Sequence, residues 1–271
     1  MARFFIDRSD WHDRREPSLY RTMSSDTRQT YPPLNTLKLV ADDIWIVDGP
    51  VIRFRAFGIR IPFATRATII RLEGDRLFVH SPTPLVPGLK AEIDRTGVPR
   101  WIVGPNRLHY WWIPDWRSAY PEAEVYLAPR ISEQAGGRID FDCRTLDQPS
   151  GYPWEGPIKT LSVPGTYMTE VVFFHVPSRT LVLTDLIENF EREKLGIVMR
   201  LMTRLGGVRD PDGSTPSDLR ASFLKQLPQV KSAVETMIAW DPQRIILAHG
   251  RWYTHGGTAE LRRAFRWILD R

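Results

Sequence analysis

Three side chains able to hold a metal ion or move a proton, His109, Asp185 and His249, each stand at the end of a short apolar run. Trp101-Ile102-Val103 precedes Pro105-Asn106-Arg107-Leu108-His109, Leu181-Val182-Leu183-Thr184 precedes Asp185, and Ile245-Ile246-Leu247-Ala248 precedes His249-Gly250. Apolar runs of this length read as strands, and strand ends in layered α/β proteins carry functional groups because the sheet fixes the base of a loop that is free to vary. Two imidazoles and a carboxylate form a tridentate metal set. Each residue also has a structural reading. His109 sits beside Tyr110, Trp111 and Trp112, where a ring can simply be packed and hydrogen-bonded. Asp185 can cap a following helix by accepting its free N–H groups. His249 can be a loop histidine, although Gly250 lets the chain turn sharply there and aim the ring outward.

The elements that must position these groups follow from patterning. Strands are expected at 44–47, 51–55, 68–72 and 77–80, with Glu73-Gly74-Asp75 as a hairpin turn between the last two. A helix over 89–95, the strand 101–103, a helix near 114–120 with proline in its first turn, and a strand at 125–127 come next. Residues 128–157 read as mostly loop. Strands at 158–163, 171–176 and 181–184 follow, then a helical stripe from Ile187 to Leu205 ended by Gly206-Gly207. A helix over 217–240 is broken or bent at Pro228, and a strand at 245–248 leads to a last amphipathic helix capped by Thr258. Strands then helices, twice over, predict an α+β, four-layer αββα sandwich of two similar halves. Residues 1–35, polar and arginine-rich, are expected to be a flexible tail or a strap, with 36–271 as a single domain.

Composition narrows the function classes. The 271 residues are 42% hydrophobic and 25% charged, as in a soluble globular protein. The net charge of +5 is spread as scattered arginines without a basic run or a nucleic-acid motif, so no nucleic-acid partner is expected. The single cysteine, Cys143, excludes an internal disulfide and a cysteine-based zinc knuckle, and fits a reducing, cytoplasmic location without requiring it. No apolar stretch reaches membrane-spanning length, and no membrane partner is expected. Nucleophile-elbow, Walker A and dinucleotide fingerprints are all missing, which leaves a small-molecule substrate or ligand at the strand-end residues.

Over residues 37 to 269 the chain resembles the metallo-β-lactamase superfamily, in a divergent branch known as a domain of unknown function. Val79-His80-Ser81 resembles the strand that ends in the family's structural aspartate. Val103-Gly104-Pro105-Asn106-Arg107-Leu108-His109 lies where the HxHxDH motif belongs. Pro164-Gly165-Thr166 resembles the later Pro-Gly-His turn, the stretch 180–186 resembles the strand giving the bridging aspartate, and Ala248-His249-Gly250 resembles the last ligand histidine.

The resemblance implies a metallo-β-lactamase-like sandwich whose site has changed. Gly104, Asn106 and Thr166 stand in place of the three histidines of the first metal site, and Leu108 in place of the motif's aspartate. His109, Asp185 and His249 remain, matching the rest of the second site. They would hold one Zn or Fe ion whose bound water attacks a small ester, lactone or phosphoester, with Asp185 or Glu170 as the general base. The same three residues equally suit a metal-free, hydrogen-bonded triad in a non-catalytic descendant that binds a ligand or partner. His80 is expected to support the site loop, His175 to be structural, His255 to lie near the site mouth, His12 to be idle, and the Tyr110-Trp111-Trp112 run to pack.

Overall fold

The computed structural model describes residues 27–56 and 59–271. A seven-stranded sheet runs in chain order through β1 (Lys38–Ala41), β2 (Ile44–Ala56), β3 (Ile59–Leu72), β4 (Arg76–His80), β5 (Val98–Gly104), β6 (Glu124–Leu127) and β7 (Arg144–Thr145). Its first four strands pair antiparallel, and β4 through β7 pair parallel. Parallel neighbours need crossovers. These are supplied by α1 (Pro87–Thr96), α2 (Ile113–Ala119) and α3 (Ile131–Ala135). A second sheet contains β8 (Ile158–Val163), β9 (Glu170–His175), β10 (Thr180–Val182) and β11 (Arg244–Ile246), in the order β11-β10-β9-β8. Between β10 and β11 lie α4 (Ile197–Gly206), α5 (Ser217–Ser222) and α6 (Leu227–Ala239), and the chain closes with α7 (Gly257–Ala264) and α8 (Arg266–Leu269).

Strand alternation divides most buried residues between two large cores, beside a smaller cluster of Ile61, Phe190, Leu195, Met199 and Val208. On β9, Val171 and Phe173 join the core shared with the first sheet, while Val172 and Phe174 join the core under the helices. Phe78 of β4 meets Phe173 with ring centroids 5.1 Å apart and Trp154 at 4.9 Å, a sheet-to-sheet contact in which each buried ring contributes on the order of 1.5–3 kcal/mol. Leu89, Ile93, Ile113 and Trp116 of α1 and α2 cover the outer face of the first sheet, and Val230, Val234, Met237, Leu261 and Phe265 of α6, α7 and the residue after it cover that of the second. The result is the four-layer αββα sandwich that the element order predicts.

Several elements differ from the expectation. The runs 44–47 and 51–55 are one strand, β2, whose register shifts between Asp48 and Val51. Its partner β3 extends back through Arg60-Ile61-Pro62-Phe63, where no alternation marks a strand. The stripe from Ile187 to Leu205 is α-helical only over α4, with a short 3-10 turn at Arg192–Lys194 ahead of it. Residues 188–190 are instead drawn out by bridges from Glu188 to Ser214, Asn189 to Gly250 and Phe190 to Arg209. Buried Asn189 donates to Asp210 and to the Arg251 carbonyl, and accepts from the Gly213 N–H. The long helix around Pro228 is broken just ahead of it into α5 and α6, with the proline in the first turn of α6, where its missing N–H costs nothing. Thr258 does not cap α7. Gly256, at φ +67°, holds that position, and the Thr258 hydroxyl donates to Asp241 at 2.8 Å.

Residues 1–26 of the expected tail lie outside the described residues. From Thr27 onward the chain is tied down. Lys194 Nζ donates to the Thr30 carbonyl at 2.8 Å, Tyr31 Oη donates to Glu191, and Thr36 Oγ1 donates to Glu92 at 2.6 Å. No helix among the described residues is long and apolar enough to cross a membrane.

Candidate metal centre

His109, Asp185 and His249 converge. One ligand atom from each lies within 4.8 Å of the other two. The Nε2 of each histidine is 3.3 Å from an Asp185 carboxylate oxygen, and the two imidazole centroids are 5.1 Å apart. The side chains are nearly buried. Asp185 does not cap a helix: the next helical turn is the 3-10 turn Arg192–Lys194, preceded by Glu191, and the next α-helix is α4 from Ile197. Leu108 does not separate the rings, because it packs into the core under the helices.

Each donor is held from behind. His249 Nδ1 donates to the Ala64 carbonyl on β3 at 2.8 Å, and His109 Nδ1 meets Ser81 Oγ at 2.8 Å. A carbonyl only accepts, so the His249 proton belongs on Nδ1 and its Nε2 lone pair faces Asp185. A lone pair and a carboxylate oxygen 3.3 Å apart repel unless a cation, either a proton or a metal ion, sits with them. This arrangement, with the outer ring nitrogen engaged and the inner one aimed at a shared point, is that of metal-ligating histidines. The side-chain amide of Asn106 donates to Asp185 Oδ2 at 2.6 Å and to Thr184 Oγ1 at 2.8 Å. The Phe63 ring lies 5.1 Å from that of His249.

Glu170 works one step behind Asp185. Its carboxylate accepts the backbone N–H groups of Thr184, Asp185 and Leu186 at 2.8, 2.9 and 3.1 Å, fixing the turn from which Asp185 projects. Burial, then the neighbouring Asp185 charge, pushes the Glu170 carboxyl up to about 7 against those N–H bonds. Burial also works against the Asp185 charge, but the two histidines outweigh it and hold that carboxyl well below its ordinary value. Burial likewise opposes a charge on His109, and Asp185 outweighs it, so the His109 pKa is raised. Carboxylate and imidazole thus stabilise each other's charged forms.

The remaining sequence candidates fall as follows. Gly104 ends β5 with no room beside it, since a Cβ there would come within 3.0 Å of Ile113 and Leu127 side chains. Thr166 donates to the Ser222 carbonyl at 2.7 Å. His80 is buried against Phe173, with ring centroids 5.4 Å apart, and its Nε2 has no hydrogen-bond partner among the described residues. His175 pairs with Ser178, and exposed His255 pairs with its neighbour Thr254, so neither joins the donor set. Tyr110 is buried and stacks on Trp111 at 5.6 Å, as packing residues. His12 lies outside the described residues. Sequence reasoning missed the roles of Ser81, Ala64 and Asn106. Only the position of Asn106 inside a motif-like run pointed to it.

Residues 42–221 match the family described as a domain of unknown function, DUF4336. The chain belongs to that family. Solved structures add the fold. FIM-1 metallo-β-lactamase from Pseudomonas aeruginosa in its mono-zinc form is 14% identical to the DUF4336 chain, at a TM-score of 0.53 over 86% of this chain and 96% of that one. A metallo-β-lactamase from Hirschia baltica is 17% identical, at 0.55 over 86% and 96%. The metal-soaked Flv1 flavodiiron core from Synechocystis sp. PCC6803 is 12% identical, at 0.57 over 87% and 60%. The DUF4336 chain therefore has the metallo-β-lactamase fold. No curated protein matches its sequence.

Proposed function

We propose that this DUF4336 protein is a mononuclear metal-dependent hydrolase of a small ester, lactone or phosphoester, holding one Zn²⁺ or Fe²⁺ on His109, Asp185 and His249. The observation that carries the reading is the back-side bonding of His249, which leaves an Nε2 lone pair facing the Asp185 carboxylate at 3.3 Å with a cation required between them. Such an ion would polarise the substrate and lower the pKa of a coordinated water to near neutrality. Asn106 donates to Asp185 Oδ2, and Oδ1 lies 3.3 Å from the Nε2 of both rings. Glu170, whose oxygens accept backbone N–H groups, would position the turn, which leaves Asp185 as the carboxylate facing both rings and the candidate to accept a proton from the water, unless a metal-bound hydroxide acts without a separate base. One ion rather than two is supported by Gly104, Asn106, Leu108 and Thr166, none of which offers an imidazole or carboxylate. The proposed partners are small molecules, with neither nucleic acid nor membrane, in the cytoplasm.

A second reading, a metal-free ligand-binding or partner-binding descendant, draws on the same geometry. Both Nε2 atoms already lie within hydrogen-bonding reach of Asp185, so a proton can replace the metal. Metal content decides between the two. Untagged protein purified without chelator should carry about one equivalent of zinc or iron by inductively coupled plasma mass spectrometry, lost in His249→Ala. A wild type that remains metal-free after both metals are supplied during growth would sink the hydrolase reading. Metal-loaded protein would then be screened against ester, lactone and phosphoester substrates.

A further inference from the structure

Helix α4 turns its apolar side outward. Ile197, Val198, Leu201 and Leu205 are 85%, 63%, 58% and 73% exposed, while Met199 and Thr203 face inward. Residues 197, 201 and 205 repeat at i, i+4 and i+8, with 198 beside them, so the four form one continuous stripe. Single exposed leucines are ordinary on a protein surface. A contiguous stripe marks a surface that something covers.

The chain itself supplies an occupant at that place. The described residues begin at Thr27, and the next ones dock immediately before α4. Lys194, three residues ahead of Ile197, donates to the Thr30 carbonyl at 2.8 Å and lies 3.9 Å over the Tyr31 ring. Thr30 and Tyr31 therefore lie at the N-terminal end of this helix, and residues 1–26 precede them in the sequence. That segment carries Phe4, Phe5, Ile6, Trp11, Leu19 and Tyr20, with five arginines balanced by five acidic residues. Twenty-six residues can span up to about 85 Å, whereas a ten-residue helix is about 15 Å long, so reach does not limit the contact. A tethered segment also binds at high effective concentration, so modest apolar contacts suffice.

We propose that residues 1–26 pack their apolar side chains on the outward stripe of α4. The reading is independent of the metal and of the proposed reaction. The test places a lone thiol on the stripe, Leu201→Cys in a Cys143→Ser background, and follows its reaction with a maleimide. The comparison protein is the same full-length chain with Phe4, Phe5, Ile6, Trp11, Leu19 and Tyr20 replaced by serine. A Val98→Cys protein, exposed on the first sheet, gives the rate of an open thiol. The native tail is expected to slow modification at position 201 by about tenfold or more, with the serine tail restoring the open rate, since thiol modification follows access. Equal rates with both tails overturn the proposal. So does slow reaction with both tails, which together with a dimer mass by light scattering would assign the stripe to a second copy of the chain. Protection that arises only when phosphatidylglycerol vesicles are added would overturn it in favour of a lipid surface.

Discussion

His249 donates its Nδ1 proton to the Ala64 carbonyl at 2.8 Å, so the last candidate ligand is oriented by β3, a strand 185 residues earlier in the chain. The bond fixes the tautomer whether or not a metal is present. Long-range proton–nitrogen spectra of the histidines should therefore show His249 protonated at Nδ1 in both states, with only the Nε2 signals of His109 and His249 moving when Zn²⁺ is added. An unprotonated Nδ1 in the zinc-loaded protein would remove the argument for the site.

Asn106 holds Asp185 through a single 2.6 Å bond and contributes no ligand of its own. Replacing it by leucine keeps the bulk and frees Oδ2. Supporting residues of this kind typically contribute 10- to 100-fold to metal affinity. Asn106→Leu should therefore weaken Zn²⁺ binding by about one to two orders of magnitude, read by competition with a chromophoric chelator, without a matching loss of fold by circular dichroism. Unchanged affinity would show that Asp185 needs no such support.

Arg66 joins the two sheets near this site. Its buried guanidinium pairs with Asp48 at 2.7 Å and donates to the Leu247 and Gly250 carbonyls at 2.5 and 3.0 Å, on either side of His249. Among the described residues, Arg66→Met takes the donor from the Leu247 and Gly250 carbonyls and leaves Asp48 with Lys38, also at 2.7 Å. The loss of one partner from a buried pair costs about 3–5 kcal/mol in urea unfolding. Arg66→Lys should recover only part of this, since an ammonium cannot reproduce the planar fork.

The layers, and the three residues that converge at His109, Asp185 and His249, were legible because their signals are local. Apolar runs ended at His109, Asp185 and His249, and the order of elements carried the sandwich. What the sequence hid is long-range. Ile187 and Phe190 have the apolar spacing of a helix, but Asn189 between them is held by Asp210, Gly213 and Arg251, and no local pattern announces those partners. The Ala64 carbonyl is backbone, invisible to any reading of side-chain types. Glu170 looked like a catalytic acid–base candidate because its type and place are right. Its role became visible only with the three N–H groups it accepts.

His80 makes the fold acid-sensitive. Burial, followed by the nearby His109, lowers its pKa from 6.5 to about 3. The folded state keeps this ring neutral while the unfolded chain takes up a proton as pH falls through 6.5. Its contribution to stability is thus intact above pH 6.5 and is lost progressively as pH falls toward 3, with a limiting slope of about 1.4 kcal/mol per pH unit. Urea midpoints measured across this window should fall less steeply in His80→Phe than in the wild type. Parallel curves would mean that another group sets the acid limit.

Gly250 is the sharpest steric test of the site's construction. It adopts φ +79°, and an added Cβ would lie 2.1 Å from the Asn189 carbonyl oxygen, which itself accepts the Arg251 N–H at 2.8 Å. Gly256 adopts a similar φ of +67° with open space around it. Left-handed backbone alone costs a non-glycine residue about 1–2 kcal/mol, so Gly256→Ala should lose roughly that much and retain the metal. Gly250→Ala carries the same strain plus a backbone clash that no side-chain rotation relieves. It should lose clearly more stability and displace His249, the preceding residue, so that metal binding falls as well. Equal costs for the two variants, with metal retained in both, would show that the close approach of Asn189 to Gly250 does not hold the last ligand in place.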